Sequence, residues 1–198
     1  MDPLILASKS QARSSLLRNA GLSFDCVAAE IDERAAEQPL VKAGGSPQDI
    51  AELLAEVKAV EVSNRYPGHL VIGADQTLGF GAQRFNKPQD DAAARAQLLD
   101  LAGESHQLHS AVACVKDGQT LWRYISTATL TMRPLSPQEI GRYMARVGEP
   151  VRSSVGCYQL EGLGVQLFEK IDGDYFTILG LPLLPLLGYF RDQQGLEF

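Results

Sequence analysis

Apolar positions along the chain recur with two spacings, and these predict where strands and helices lie. Leu4-Ile5-Leu6-Ala7 is a short continuous apolar run and reads as a buried first strand. The polar triplet Ser8-Lys9-Ser10 follows. Gln11 to Ala20 then reads as a helix, with Leu16, Leu17 and Ala20 on one side and Gly21 at its end. Phe24 to Ala29 predicts a second strand, and the polar run Glu30-Ile31-Asp32-Glu33-Arg34 a solvated loop. Ser46-Pro47 starts a helix whose Ile50, Leu53, Leu54, Val57 and Val60 repeat at helical spacing. Tyr66-Pro67-Gly68 breaks the chain before Val71-Ile72-Gly73-Ala74, a short buried strand that ends with Asp75 in open solvent.

The second half carries the same signals. Gly79 to Gln83 reads as a turn and Asp90 to Ala102 as a helix ended by Gly103. Gln107 to Val115 and Thr120 to Met132 flank an Asp-Gly turn and predict a hairpin. Ser136-Pro137-Gln138-Glu139 is a capping box that opens a helix running to about Val147. Val165 to Ile171 and Tyr175 to Leu179 read as strands around Asp172-Gly173-Asp174. A final apolar helix begins near Gly180-Leu181-Pro182 and runs to about Arg191, and Asp192 to Phe198 looks like a loose tail. No repeat, linker or low-complexity segment divides residues 1–198, so they read as one domain.

Charge and composition narrow the function classes. The 198 residues carry 18 basic and 24 acidic side chains, a net charge of −6, which argues against a nucleic-acid surface. A small anion remains compatible if cations gather locally. Cys26, Cys114 and Cys157 are odd in number and contain no CxxC pair, so they read as reduced thiols of a cytoplasmic protein, not a zinc site. No secretory signal opens the sequence. The longest apolar run, Leu179 to Leu187, is interrupted by Gly180 and two prolines, so no membrane partner is expected.

Several residues carry candidate chemistry. A strand followed by a hydroxyl-rich loop and a helix N-terminus suits a phosphate at Ser8 and Ser10, with Arg13 adding a forked contact. It is not a Walker loop, because the glycines are missing, and a plain Ser10 cap is the structural alternative. Asp75 could hold a divalent cation or take a proton from water, or simply cap a turn. Lys58 flanks the apolar stripe of its helix, where most lysines snorkel to water. Pro88 holds Lys87 extended. His106 and His109, three apart on a strand, face opposite sides, so turn or surface roles are expected of them and not a metal pair.

Taken together, these stretches resemble the Maf family of nucleoside triphosphate pyrophosphatases. Leu6-Ala7-Ser8-Lys9-Ser10-Gln11-Ala12-Arg13 is similar to its opening motif, Asp32-Glu33 to its acidic loop, and Ala55-Glu56-Val57-Lys58-Ala59 to its helix lysine. Gly73-Ala74-Asp75, Lys87-Pro88, Gly103-Glu104-Ser105-His106, Gly156-Cys157-Tyr158, and the stretch from Ile171 to Leu183 complete the series, in order, over nearly the whole chain. The resemblance implies an α/β fold, with a long twisted mixed sheet flanked by helices in two lobes around a central cleft. It implies hydrolysis of a nucleoside triphosphate to the monophosphate and pyrophosphate with Mg or Mn, and homodimers are common in the family. Carried over residue by residue, Asp75 becomes the acceptor of the attacking water's proton. Glu33 joins it as metal ligand, Lys58 and Lys87 are the catalytic cations, and Ser8, Ser10 and Arg13 bind substrate.

This sequence departs from the family pattern at Gln11, where proline is common, and at Ser154-Val155-Gly156, where Ser-Ala-Gly is frequent. Base selectivity in the family is associated with the positions of Ala12, Gln76 and Glu161. Gln76 and Glu161 agree with the branch acting on 7-methyl-GTP, while Ala12 agrees neither with it nor with the dTTP/UTP branch. A carboxylate at Glu161 would accept hydrogen bonds from a guanine edge and suit a cationic methylated base. Three further readings stay open: a nucleotide-binding regulator of cell division without turnover, a dTTP/UTP-selective enzyme, and an inosine-triphosphate-type activity.

Overall fold

A computed structural model describes residues 2–197. In chain order its elements are β1 (Leu4–Leu6), α1 (Gln11–Asn19), β2 (Asp25–Cys26), α2 (Glu33–Lys42), α3 (Pro47–Arg65), β3 (Leu70–Phe80) and β4 (Gln83–Phe85). There follow α4 (Asp91–Leu101), β5 (Ser105–Lys116), β6 (Gln119–Met132), α5 (Pro137–Val147), β7 (Phe168–Asp172), α6 (Tyr175–Ile178) and α7 (Leu183–Gln194). The strands form one seven-stranded mixed sheet in the order β2-β1-β3-β5-β6-β7, with β4 paired to β3. Strand β1 runs parallel to both β2 and β3, whereas β3–β4 and β6–β7 are antiparallel. This is the α/β class with a mixed sheet and flanking helices.

The chain separates into two compact units. The first takes residues up to Gln76, His109–Ser126 and Tyr175 onward; the second takes Thr77–Leu108 and Thr127–Asp174.

In the first unit the two faces of β1 and β3 are buried differently, as period-2 alternation requires. Leu4, Leu6, Leu70, Ile72 and Ala74 pack with Leu16 and Leu17 of α1 and Leu183, Leu186 and Phe190 of α7. Ile5, Ala7 and Val71 face the other way, onto Ala59 and Val62 of α3. Small residues let α3 come close: Ala51 and Ala55 meet Ala111 of β5. At Gly73 the approach is closest of all. A Cβ there would lie 2.1 Å from the Ala55 carbonyl oxygen and 2.8 Å from the Ala59 nitrogen, both backbone atoms that cannot yield.

In the second unit the tip of β3 turns back on β4, pairing Leu78 with Phe85, and β6 pairs Leu130 with Ile171 of β7. Helices α4 and α5 are tied together by Arg95 Nη2 donating to the Pro137 carbonyl at 3.0 Å. A buried aromatic knot completes the core. His106 Nε2 and the Tyr158 hydroxyl are 2.7 Å apart, and Phe168 lies edge-on to Tyr158 with ring centroids 4.7 Å apart.

Several local expectations are overturned. Asp75 is neither at a strand end nor in open solvent: β3 continues to Phe80 and Asp75 is 8% exposed. The Gly79–Gln83 stretch is therefore strand on both sides of a short turn at Gly81. The acidic loop is instead the start of α2, because Asp32 caps it by accepting from the Ala35 amide at 3.0 Å. That helix buries none of its residues completely and carries Pro39 inside it, so its local helical signal is weak. The second strand shrinks to Asp25–Cys26. Leu163–Leu167 is a 3₁₀ turn that delays β7 to Phe168.

Tyr175–Leu179 is helical through Ile178, although its aromatic and β-branched residues favour a strand. Gly180, at φ +94°, closes that turn with its amide on the Thr177 carbonyl, and the Leu181 amide reaches back to Phe176. The final helix runs on to Gln194, where a loose tail is expected. His106 and His109 are 2% and 7% exposed, not surface groups. All three cysteines are free thiols, Cys26 exposed and the other two buried.

Candidate active site

The site grows out of the close approach at Gly73. Residues 73 and 75 share one face of β3, so the helix that lies against Gly73 passes beside Asp75. Lys58, one turn along α3 from Ala55, sends its ammonium to Asp75 Oδ1 at 2.6 Å. The same ammonium is 2.8 Å from Glu33 Oε1, in the first turn of α2. Lys58 therefore does not snorkel to water; it stands between two carboxylates. The pair with Asp75 is nearly enclosed, with side-chain exposures of 12% and 11%, while Glu33 stays 52% exposed.

Burial raises the Asp75 carboxyl above the ordinary carboxylate range, against the opposing pull of Lys58 and Arg13. A carboxylate so placed is a stronger proton acceptor than one in water. Arg13 is itself pulled down by burial and held up by Asp75 and Glu33.

Arg13 lies on the opposite face of the strand. Its Nη1 donates to the Ala74 carbonyl at 2.8 Å and its Nε to the Gly180 carbonyl at 2.8 Å. Nη1 also lies 3.4 Å from Ser8 Oγ. The forked face expected to meet phosphate is thus engaged with backbone. Ser8 Oγ accepts from the Ser10 amide at 3.1 Å, and Ser10 caps α1 by accepting from the Arg13 amide at 3.4 Å. Beside this loop a pocket of about 370 Å³ is lined by Ser8, Lys9, Ser10, Ser14, Arg18 and Cys26. Two cations, several hydroxyls and a helix N-terminus suit an anionic group.

Gln76 is held firmly. Its amide nitrogen lies 2.9 Å from Ser110 Oγ, 3.0 Å from the Thr177 carbonyl and 3.0 Å from the Ile178 carbonyl. Reversing the amide would set its oxygen against two carbonyl oxygens, so this orientation is fixed by its surroundings. Ser110 is fully buried and donates to Thr177 at 2.7 Å. Neither Ser110 nor the Gly180 carbonyl stands out in the sequence, because nothing in a strand serine or a turn glycine says which residue will lean on it. Ala12 is partly buried on α1.

Asp75, Glu33, Lys58, Arg13, Ser8, Ser10, Ala12 and Gln76 all belong to the first unit. Lys87 and Glu161 belong to the second, and both are exposed. Lys87 follows β4 and precedes the buried Pro88, and Gln97 of α4 donates to the neighbouring Asn86 carbonyl at 2.8 Å. Glu161 lies in a turn after Tyr158, which is anchored by His106.

Among the described residues no cluster of three or more His, Cys, Asp or Glu side chains forms a complete metal cage, and no helix is long and apolar enough to cross a membrane. Two hard carboxylates sharing one ammonium nevertheless match what magnesium takes from a protein when phosphate oxygens and water complete its shell.

The family model for Maf-like proteins matches residues 3–193. A protein of Brucella abortus named 7-methyl-GTP pyrophosphatase is 57% identical over 194 residues, covering 98% of both chains. One of Rhizobium johnstonii with the same name is 58% identical over 194 residues, again covering 98% of each. A Rhodopseudomonas palustris protein named nucleoside triphosphate pyrophosphatase is 56% identical over 198 residues, covering 99% of this chain and 96% of its own.

Proposed function

We propose, for a chain that belongs to the family of Maf-like proteins, that it hydrolyses nucleoside triphosphates to monophosphate and pyrophosphate. The observation that carries this reading is the convergence of Asp75 and Glu33 on the single ammonium of Lys58. A mere binding site for phosphate has no use for a buried carboxylate that repels the ligand. A hydrolase does, because a water must lose a proton as it attacks.

Asp75 accepts that proton as the water oxygen bonds to the α-phosphorus, and the bond to the pyrophosphate oxygen breaks. Lys58 keeps the carboxylate ionised against the cost of burial and offers its charge to the phosphate oxygens. The α1 N-terminus with Ser8 and Ser10 receives the polyphosphate. Asp75 and Glu33 would hold a magnesium or manganese ion, whose chemistry is to neutralise charge on the phosphate oxygens.

The names of the relatives support a 7-methyl-GTP-type substrate, as do Gln76 and Glu161 at the positions associated with base choice. The test is pyrophosphate release from 7-methyl-GTP, GTP, ITP, XTP, UTP and dTTP, with Mg or Mn supplied. Turnover highest on 7-methyl-GTP is expected. A preference for UTP and dTTP would move the chain to the other branch, and no release from any of them would end the enzymatic reading.

A further inference from the structure

Both chain neighbours of Asp75 are tied to one and the same corner of the first unit. On one side, the Ala74 carbonyl takes a hydrogen bond from Arg13 Nη1, and Arg13 Nε donates to the Gly180 carbonyl. On the other, the Gln76 amide donates to the Thr177 and Ile178 carbonyls and to Ser110. The four residues Thr177 to Gly180 thus reach the strand through Arg13 immediately before the carboxylate and through Gln76 immediately after it.

Alternation along β3 puts Ala74 and Gln76 on the face opposite Asp75. The corner therefore grips the strand from behind, while Lys58 grips the carboxylate from in front. Two residues make the grip possible. Ser110, fully buried, donates to Thr177 at 2.7 Å and shares that carbonyl with Gln76. Gly180 takes a positive φ, and a Cβ there would sit 3.4 Å from Arg13 Nε and Nη2 and 3.7 Å from Gln76 Cδ. Those are ordinary contacts, so what glycine supplies here is the φ of +94°, a conformation side chains rarely adopt, which turns its carbonyl onto Arg13.

We infer that Ser110 and Gly180 are positioning residues for the reaction proposed above: they hold the Thr177–Gly180 corner against Arg13 and Gln76, and through those two fix where Asp75 stands. Neither reaches the reacting atoms. On this view Gln76 bears on Asp75 through backbone held by its amide nitrogen.

The inference rests on the pyrophosphatase reading for its kinetic test, so a second measurement independent of turnover accompanies it. Ser110→Ala removes one donor without adding bulk, and Gly180→Ala puts a side chain at a φ of +94°, which strains the corner. With 7-methyl-GTP and Mg, each variant is expected to lose roughly tenfold or more in kcat with KM within about twofold, because small misplacement of a catalytic group costs rate rather than binding. The double variant should lose less than the product of the two. Hydrogen–deuterium exchange on the same proteins, without substrate, should quicken in residues 174–183 and also in residues 73–77.

Unchanged kcat in folded variants would overturn the inference while leaving the hydrolase reading intact. If the wild type turns over no triphosphate, the hydrolase reading falls and exchange decides alone: quickening in both segments supports the clamp, and quickening confined to 174–183, or absent, overturns it.

Discussion

The ammonium of Lys58 meets Asp75 Oδ1 at 2.6 Å because Gly73, two positions back on the same face of β3, has no side chain. Helix α3 lies so close there that its Ala55 carbonyl occupies the space a Cβ would need. Gly73→Ala must push α3 away from the strand. We expect a loss of about 1–3 kcal/mol in denaturant unfolding, the usual cost of overpacking, together with a fall in turnover of roughly a hundredfold. Wild-type kcat in the folded variant would show that the helix spacing does not set the ion pair.

Asp75→Asn should keep the fold and abolish pyrophosphate release, by roughly a thousandfold or more, since the amide cannot take the proton. Lys58→Met should be harmful to the fold in its own right, because it strands a buried carboxylate; about 3 kcal/mol is expected. In the Asp75→Asn background the same Lys58→Met change should cost much less. Chemical denaturation of the four proteins measures the coupling, and equal costs in both backgrounds would contradict the buried pair.

Acid sensitivity has a definite source in His106. Its ring is 2% exposed, its Nε2 faces the Tyr158 hydroxyl, and its Nδ1 is buried with no hydrogen-bond partner. Burial pulls its pKa from 6.5 down to about 4. The unfolded chain binds a proton below pH 6.5 while the folded one refuses it until about pH 4, so stability is full above 6.5 and falls between those values. The loss attributable to this ring is about 3 kcal/mol. His106→Gln should flatten the stability profile between pH 6.5 and 4, as read from urea midpoints. A profile identical to wild type would assign the sensitivity elsewhere.

Chelation is expected to stop turnover, and Mg or Mn to restore it, with little change in thermal stability. The two carboxylates that would hold the ion are already tied together by the Lys58 ammonium without it. A large drop in the unfolding midpoint on adding EDTA would mean that the ion is structural.

How much of this was legible beforehand depends on what held each piece. The buried strands and the capped helices at Ser46 and Ser136 follow from local signals, and the structure forms the capping boxes those sequences specify. Helix α2 is hidden because none of its residues is fully buried and Pro39 sits inside it, and α6 because a four-residue turn of strand-favouring residues is held by distant partners, Gln76 and Ser110. The sequence reads Asp75 as solvent-facing because its neighbour Lys58 is distant along the chain. The same blindness hid the duties of Arg13: a guanidinium at a helix start looks free for phosphate until the carbonyls of Ala74 and Gly180 are seen beneath it. The motif residues themselves could be singled out; which face each turns to its neighbours could not.

Glu33 rides on α2, a segment that seals none of its residues inside the protein. Its counterpart Asp75 is set in the middle of a buried strand. One jaw of the vice is bolted down and the other hangs on a piece that could peel off without opening the core. Whatever the two jaws close on would fasten that outer helix as well, so fraying of residues 33–42 should quieten when the site is filled.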